Sequence, residues 1–576
     1  MKKLIVMGMV ALSLTACTKK NADGTSAGSN AEGARSSGLT NKELKIGISQ
    51  EFENLNPLIM NMVATTYMHR MVNRTLVNLD ADAKWVAQLA KEIPTIENGK
   101  AKFVTVGGKK KMTATWEIIE AAKWGDGTPV TCADFALSRK IAESPNVSIA
   151  EKETFTLVEK IEWDPKTPKV CNFTYEKARW DYYQLAQFYP LPSHLETEVF
   201  AKNGGQKEGY EKNSNYVKNP TNPGLYHGPY VVSEVQLGNY VAFKPNPHFY
   251  GEKPKIERVI VKVIPNTGTL EANLRSGTID MISTLGLTMD QALAFDKKVK
   301  SESLPYNVTF TPSITYEHID LNLSNPLLKD LKVRQALVYA INREDLTKSL
   351  FEGRQPVSIH FLSPKDPWFT DDPTKIKTYK YSRRDAEKLL DEAGWKPGPD
   401  GIRVKDGKRL SLNFQTTAGN KVRELVQVYL QEQWKQIGVE VSIKNEQARV
   451  FFSETTKKRK FDMAMYAWMA SPENSPRSTQ HSKSIPAEKN GYSGQNQPGW
   501  INAGVDKAID DLDVEFDAGK RKSLVEGIAK AYTEDVPVIP LYYRADISVA
   551  PVALKNYRPP GHQFPETNEI EKWTVE

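Results

Sequence analysis

Apolar positions along the chain alternate between the spacing of strands and that of helices. Leu44-Lys45-Ile46-Gly47-Ile48 reads as a short strand, and Asn54-Leu55-Asn56-Pro57-Leu58 as the turn after it. Thr65 to Val77 carries a helical pattern that closes on the apolar pair Leu76-Val77, and Thr113 to Ile119 reads as a strand. Asp126-Gly127 signals a tight turn. Beyond it Thr131 is placed to cap a helix, with Asp134 at the third helical position and Phe135 and Leu137 opening the apolar stripe.

Between Gly228 and Ile282 the pattern turns β-rich. Tyr230-Val231-Val232 is one strand, and Val259, Val261 and Val263 mark one face of another. A short helix over Leu270 to Leu274 stops at Ser276-Gly277, before the strand Ile279-Asp280-Met281-Ile282. Val333, Leu337, Ala340 and Ile341 form the apolar side of a further helix. Ser382 to Asp385 starts another in the manner of a capping box, and Gly394 stands where a terminating glycine belongs. The segment from Lys421 to Ile437 is helical up to Gly438, after which Val439, Val441 and Ile443 alternate as a strand. Interleaved units of this kind, without internal repeats, predict an α/β fold with lobes built on mixed sheets.

The N-terminus has a different character. Lys2 and Lys3 precede an apolar run, Leu4 to Leu14, well short of the roughly 20 residues that span a bilayer, so it reads as a signal peptide over residues 1–16. Leu14-Thr15-Ala16-Cys17 has the form of a lipobox, in which small residues admit the leader to the peptidase and the Cys17 thiol accepts diacylglycerol. Residues 17–38, rich in Ser, Gly, Ala and Asn, are then a tether to the lipid. Thr18 stands where an aspartate would retain the protein at the inner membrane, which leans towards the outer one. The expected location is therefore the periplasm or cell envelope, with the chain held by lipid.

Composition is that of a globular protein: 40% hydrophobic and 26% charged over 576 residues, long enough for two or three cores. The net charge of +7 is spread among 70 acidic residues, so nothing points to nucleic acid. Apart from Cys17 the cysteines are Cys132 and Cys171, which either pair in an oxidising compartment or sit as two buried thiols.

Local signals for catalysis are missing. The eight histidines are scattered, so no zincin helix or Cys-His zinc site forms locally, and no metal or cofactor is expected. No phosphate-binding Gly-Lys-Ser/Thr loop or dinucleotide glycine fingerprint occurs. Gly24-Thr25-Ser26-Ala27-Gly28 matches a nucleophile elbow in letters only, since a tether cannot supply the strained turn. An enzyme is thus the runner-up class and a scaffolding lipoprotein the third, the latter distinguished by the absence of an interlobe cleft.

Taken together, the motifs resemble the family 5 extracellular solute-binding proteins, which include periplasmic oligopeptide-, dipeptide- and nickel-binding proteins. They are Leu55-Asn56-Pro57, Trp124 to Thr131, Leu191-Pro192-Ser193-His194, Gly228-Pro229-Tyr230, Asn246 to Gly251, Ser276 to Asp280, Val333 to Leu337 with Ala340 to Glu344, Lys388 to Trp395, and Pro537 to Tyr542. Each is weak alone, and together they run in family order from Leu44 to Glu576. The resemblance implies a monomer with two lobes that close on a ligand and a discontinuous first lobe: residues 39–77, 191–312 and 541–576. A subdomain would occupy 78–190 and the second lobe 313–540, with chain crossings near Thr311 to Ile319 and Ile539 to Tyr543. Ligand would shift an open–closed equilibrium towards the closed form, which the permease of an ABC importer recognises.

In peptide-binding members a cleft strand ends in a Trp-x-Ala-Asp-like sequence, its backbone pairing with the extended ligand and its Asp with the ligand's α-amino group. The match here is Phe461 to Asn474, which includes Ala467, Trp468, Met469 and Ala470, with Ser471 in the Asp position. A serine accepts a hydrogen bond but does not neutralise an ammonium. Either Glu473 supplies the carboxylate, or the ligand has no free amine there, as in a blocked, cyclic or cell-wall-derived peptide. Arginines that would hold a ligand carboxylate are also missing, since Met465 stands in this segment and Thr456 shortly before it. Asn474, Asn54, Tyr316 and Glu317 are further cleft candidates, and the polar stretch Arg477 to Asn496 is either a ligand-facing wall or a surface loop. The alternative ligands are a metal chelate, an oligosaccharide or an opine-like molecule.

Overall fold

Two long antiparallel strands, Tyr306–Leu321 and Val538–Pro551, organise the molecule. The computed structural model describes residues 39–576 apart from 53, 60, 61, 148, 150–152, 491 and 493. The expected leader, the Cys17 lipidation site, Thr18, the tether and the Gly24 to Gly28 pattern lie outside the described residues.

Among these residues one mixed sheet orders ten strands. From one edge they are Glu440–Ile443, Ser411–Gln415, Met463–Met469, Tyr306–Leu321 and Val538–Pro551. Then come Met281–Ile282, Leu44–Ile48, Val259–Val263, Tyr240–Pro245 and Tyr230–Gln236. The two long strands pair from Tyr306↔Pro551 to Pro312↔Ala545, slip register between Pro312 and Tyr316, and resume at Tyr316↔Tyr543. Proline has no N–H to give the ladder, so a bulge next to Pro312 is where the pairing breaks at least cost.

The apolar faces fall into separate cores. One gathers Leu44 to Val263 with Met281, Ala550, Leu554, Ile570 and Trp573 from the chain's end. Another gathers residues from Met289 to Ile547, including Leu337, Leu430, Trp434 and Met465. A four-stranded sheet of Ala101–Val106, Lys109–Glu117, Val170–Tyr175 and Val158–Glu162 contributes to the first. Cys132, at the start of the Cys132–Glu143 helix, is joined to Cys171 on the Val170–Tyr175 strand by a disulfide.

Local capping chemistry sets several boundaries. The Asp134 carboxylate accepts the Thr131 N–H at 2.8 Å, and Ser382 Oγ accepts the Asp385 N–H at 3.2 Å. Such caps contribute about 1 kcal/mol each. Gly394 (φ +84°) and Gly438 (φ +80°) lie past helix ends in the left-handed region that side chains avoid.

The helix expected over Thr65 to Val77 is instead Val63–Val72, and Val77 begins the strand Val77–Leu79. The cause is distant in sequence. The Val72 carbonyl, which a continuing helix would offer to residue 76, accepts the N–H groups of His227 and Gly228 at 3.0 and 2.7 Å. A Cβ on Gly228 would fall 2.4 Å from the Val72 carbonyl carbon, so only glycine permits the approach. Asn73 is accordingly extended, and the Arg74 N–H donates to His227 Nε2 at 3.1 Å.

Candidate ligand-binding site

The Met463–Met469 strand is paired along one edge and largely bare along the other. Antiparallel pairing with the long strand sets Tyr316 opposite Trp468 and Glu317 opposite Ala467. On the far edge only Met463 and Ala464 pair, with Phe414 and Gln415. Among the described residues no strand continues beyond them, so Tyr466 to Met469 present an open backbone edge.

Beside this edge lies a cavity of about 180 Å³, lined by Tyr316, Phe361, Leu362, Trp468, Met469 and Ala470 together with a polar rim. Ser471, Asn474, Ser478, Thr479 and Gln495 make that rim. Of the candidates, Trp468, Met469, Ser471, Asn474 and Tyr316 therefore meet at one place. The polar stretch splits between the two expected roles. Part of it lines the cavity, while the buried Asn496 amide donates to the Gln480, His481 and Trp500 carbonyls.

The remaining candidates stand elsewhere. Ala467 is half-buried opposite Glu317 and lines neither this cavity nor the one described below. Asn54 Oδ1 accepts the Asn56 N–H at 2.9 Å, whereas its neighbours Pro57 and Leu58 line the second cavity. Met465 packs in the second apolar core, and Thr456 is buried with its hydroxyl donating to the Phe452 carbonyl.

Glu317, expected in the cleft, is fully buried and bonded to two arginines. Arg423 Nε donates at 2.5 Å, and Arg544 Nη2 and Nε at 2.6 and 2.9 Å. Burial pushes its pKa up, but Arg544 and Arg423 outweigh it and hold the carboxyl below the usual range.

Glu473 lies outside the cavity lining. Its backbone is left-handed (φ +51°), its N–H donates to Asp366 Oδ2 at 3.1 Å, and its carbonyl accepts the Gln184 amide at 3.3 Å. Burial raises its carboxyl, opposed by Arg521. Asp366, which no sequence signal singles out, is buried and pushed up to about 7, chiefly by desolvation and further by the Glu473 charge. The Trp368 and Glu473 N–H groups oppose the shift.

A carboxyl raised in the folded state stabilises fully below its unfolded pKa, and that contribution is lost as pH rises through the folded value. Unfolding free energy is therefore expected to decline between about pH 4 and pH 7 by an Asp366 contribution on the order of a few kcal/mol. Urea melts of wild type and Asp366→Asn across that window check it: the variant's curve should be flatter, and parallel curves would refute the assignment.

A second cavity, of about 230 Å³, shares Met469 with the first. Its other walls come from far along the chain and include Leu58, Arg70, Phe155, Tyr189 and Phe564. No sequence signal links those segments. Among the described residues no group of His, Cys, Asp and Glu side chains stands together as a metal site.

Comparison with known proteins gives a consistent picture. The oligopeptide-binding protein AppA of Bacillus subtilis (strain 168) is 26% identical over 572 residues, covering 99% of this chain and 97% of its own. The nickel-binding periplasmic protein of Escherichia coli (strain K12) is 24% identical, covering 89% and 92%. The crystal structure of an oligopeptide-binding protein from Thermus thermophilus, complexed with a pentapeptide, superposes with a TM-score of 0.67. It is 28% identical and covers 92% of this chain and 96% of its own. The fold is the two-lobed α/β fold of periplasmic binding proteins. Residues 108–487, more than half of the chain, match the family described as bacterial extracellular solute-binding proteins, family 5 Middle, and the chain belongs to that family.

Proposed function

We propose that this protein captures a peptide or peptide-like ligand between its two lobes and delivers it, unaltered, to the permease of an ABC importer. The open edge of Tyr466 to Met469 carries the reading. Main-chain N–H and C=O groups there are placed to pair with an extended ligand, which gives affinity without selecting side chains. The relatives named for oligopeptide binding and the pentapeptide complex support it.

In this reading residues 39–77, 191–312 and 541–576 form one lobe and 313–540 the other, with 78–190 as a subdomain. Among the described residues the first apolar core takes no buried residue from 313–540, which agrees with a separate second lobe. The second core also draws in Met289, Leu293, Leu541 and Ile547 from across the proposed boundaries. The register slip after Pro312 falls at the proposed crossing. Ser471 and Asn474 offer the ligand neutral contacts, and Glu473 acts through the shape of its turn, which suits a ligand without a free amine at that point. Among the described residues no helix is long and apolar enough to cross a membrane, and the reading has a monomer held through lipid on Cys17, at the outer membrane.

Native mass spectrometry of protein purified from its own envelope tests the assignment. A bound peptide-like mass, released intact, is expected. Recovery of a sugar or a bare metal chelate would overturn the ligand class. A change in the ligand's mass on incubation would overturn the absence of catalysis.

A further inference from the structure

Arg70 lines the second cavity and is the one formally charged residue among the described residues that do. It is 1% exposed and has no carboxylate within ion-pairing distance among the described residues. Its neighbour Arg74, by contrast, is paired with Glu571 at 2.7 Å. Arg70 Nη1 donates to Asn78 Oδ1 at 3.1 Å and Nη2 to the Ala186 carbonyl at 2.8 Å, while the buried Nε–H has no partner. The guanidinium is held between the rings of Phe564, 3.8 Å away, and Tyr189, 5.4 Å away, which are also cavity walls. A purely structural role accounts for the two bonds and the stacking. It does not account for a permanent charge left without a counter-ion in a water-poor wall, an arrangement that proteins otherwise avoid. A second buried polar atom of the same wall, Gln563 Oε1, also lacks a partner and is an acceptor suited to an amide N–H.

Building on the peptide reading, we infer that the Arg70 cavity receives a carboxylate of the ligand, carried next to an apolar side chain. The guanidinium supplies charge and donors that match a carboxylate. The surrounding Leu58, Val63, Phe155 and Phe564 supply the apolar contact. A ligand pairing with the open edge passes Met469, which lines both cavities, and so reaches Arg70. Neither Met465, packed in the second apolar core, nor Thr456, in the helical turn Phe451–Thr456 ahead of the strand, offers a charge for this task, whereas Arg70 does.

The test compares one pool of N-acetylated, leucine-ending pentapeptides in three forms: free acids, C-terminal amides, and amides with glutamate before the final leucine. Each is competed for binding to the full-length wild type and to Arg70→Gln. Wild type should prefer free acids to plain amides by roughly tenfold or more, and the preference should collapse to near unity in Arg70→Gln. If the glutamate amides bind like the free acids, the carboxylate is supplied by a side chain rather than the peptide's end, and the inference stands. Equal binding of free acids and amides by wild type overturns it, and this arm decides the matter even if Arg70→Gln does not fold. An acid preference retained in a folded Arg70→Gln also overturns it. Failure of wild type to bind any form would instead overturn the peptide reading, and the inference with it.

Discussion

Replacing Glu317 with glutamine is expected to cost about 3–5 kcal/mol of unfolding free energy, because it leaves buried cationic charge without its partner. Glu317 is on the long Tyr306–Leu321 strand, Arg544 on the long strand paired with it, and Arg423 on the Lys421–Lys435 helix, so one carboxylate ties three elements together. The triad carries a net positive charge, which makes its members unequal. Deleting either arginine leaves a neutral pair, so Arg423→Met or Arg544→Met should cost much less than Glu317→Gln. Arg544 is the more expendable, since its side chain is 39% exposed and already partly hydrated. Urea midpoints of the three variants check the order, and an arginine deletion as damaging as Glu317→Gln would refute it. The pH dependence has a definite sign. The folded carboxyl lies below its ordinary 4.5, so its contribution is complete above that value and is lost as pH falls through the lower folded pKa. In Glu317→Gln that acid-side loss should be absent.

The sequence discloses what is decided locally. Thr131 with Asp134 and Ser382 with Asp385 act within one helical turn, and Gly394 and Gly438 act through their own backbone, so these boundaries are readable. The Val63–Val72 helix is overrun in the reading because its stop is made by His227 and Gly228, more than a hundred residues away. The site divides in the same way. Trp468, Met469, Ser471 and Asn474 sit on one continuous segment whose pattern resembles the family's, and they do line one cavity. Tyr316 joins them because antiparallel pairing places it opposite Trp468. Phe361 and Leu362, which face them, carry no local signal of that role. Glu317 was readable as a residue of the crossing but not as the partner of Arg423 and Arg544, which only folding brings to it. The Arg70 cavity is harder still, since its walls come from separate, distant stretches of the chain.

Removing the Cys132–Cys171 bridge is the second large effect expected. The two residues are 39 apart in sequence and both fully buried. In the chain-entropy account, closing a loop of that length in the unfolded state stabilises the fold by about 4 kcal/mol at 25 °C. The double change Cys132→Ala with Cys171→Ala restores that freedom without leaving an unpaired thiol or a buried hydroxyl. The loop so closed includes the Cys132–Glu143 helix and also Ile149 and Phe155, two walls of the Arg70 cavity. Destabilising it should therefore lower the melting temperature and also weaken binding of carboxylate-bearing ligands, although no ligand-contacting atom has been changed. Treating the wild type with a thiol reductant should move both properties to the values of the double variant and leave the variant itself unaffected. A double variant that melts with the untreated wild type would show that the bridge contributes nothing. Reduction that lowers the melting temperature while binding stays unchanged would separate the loop from the cavity it lines.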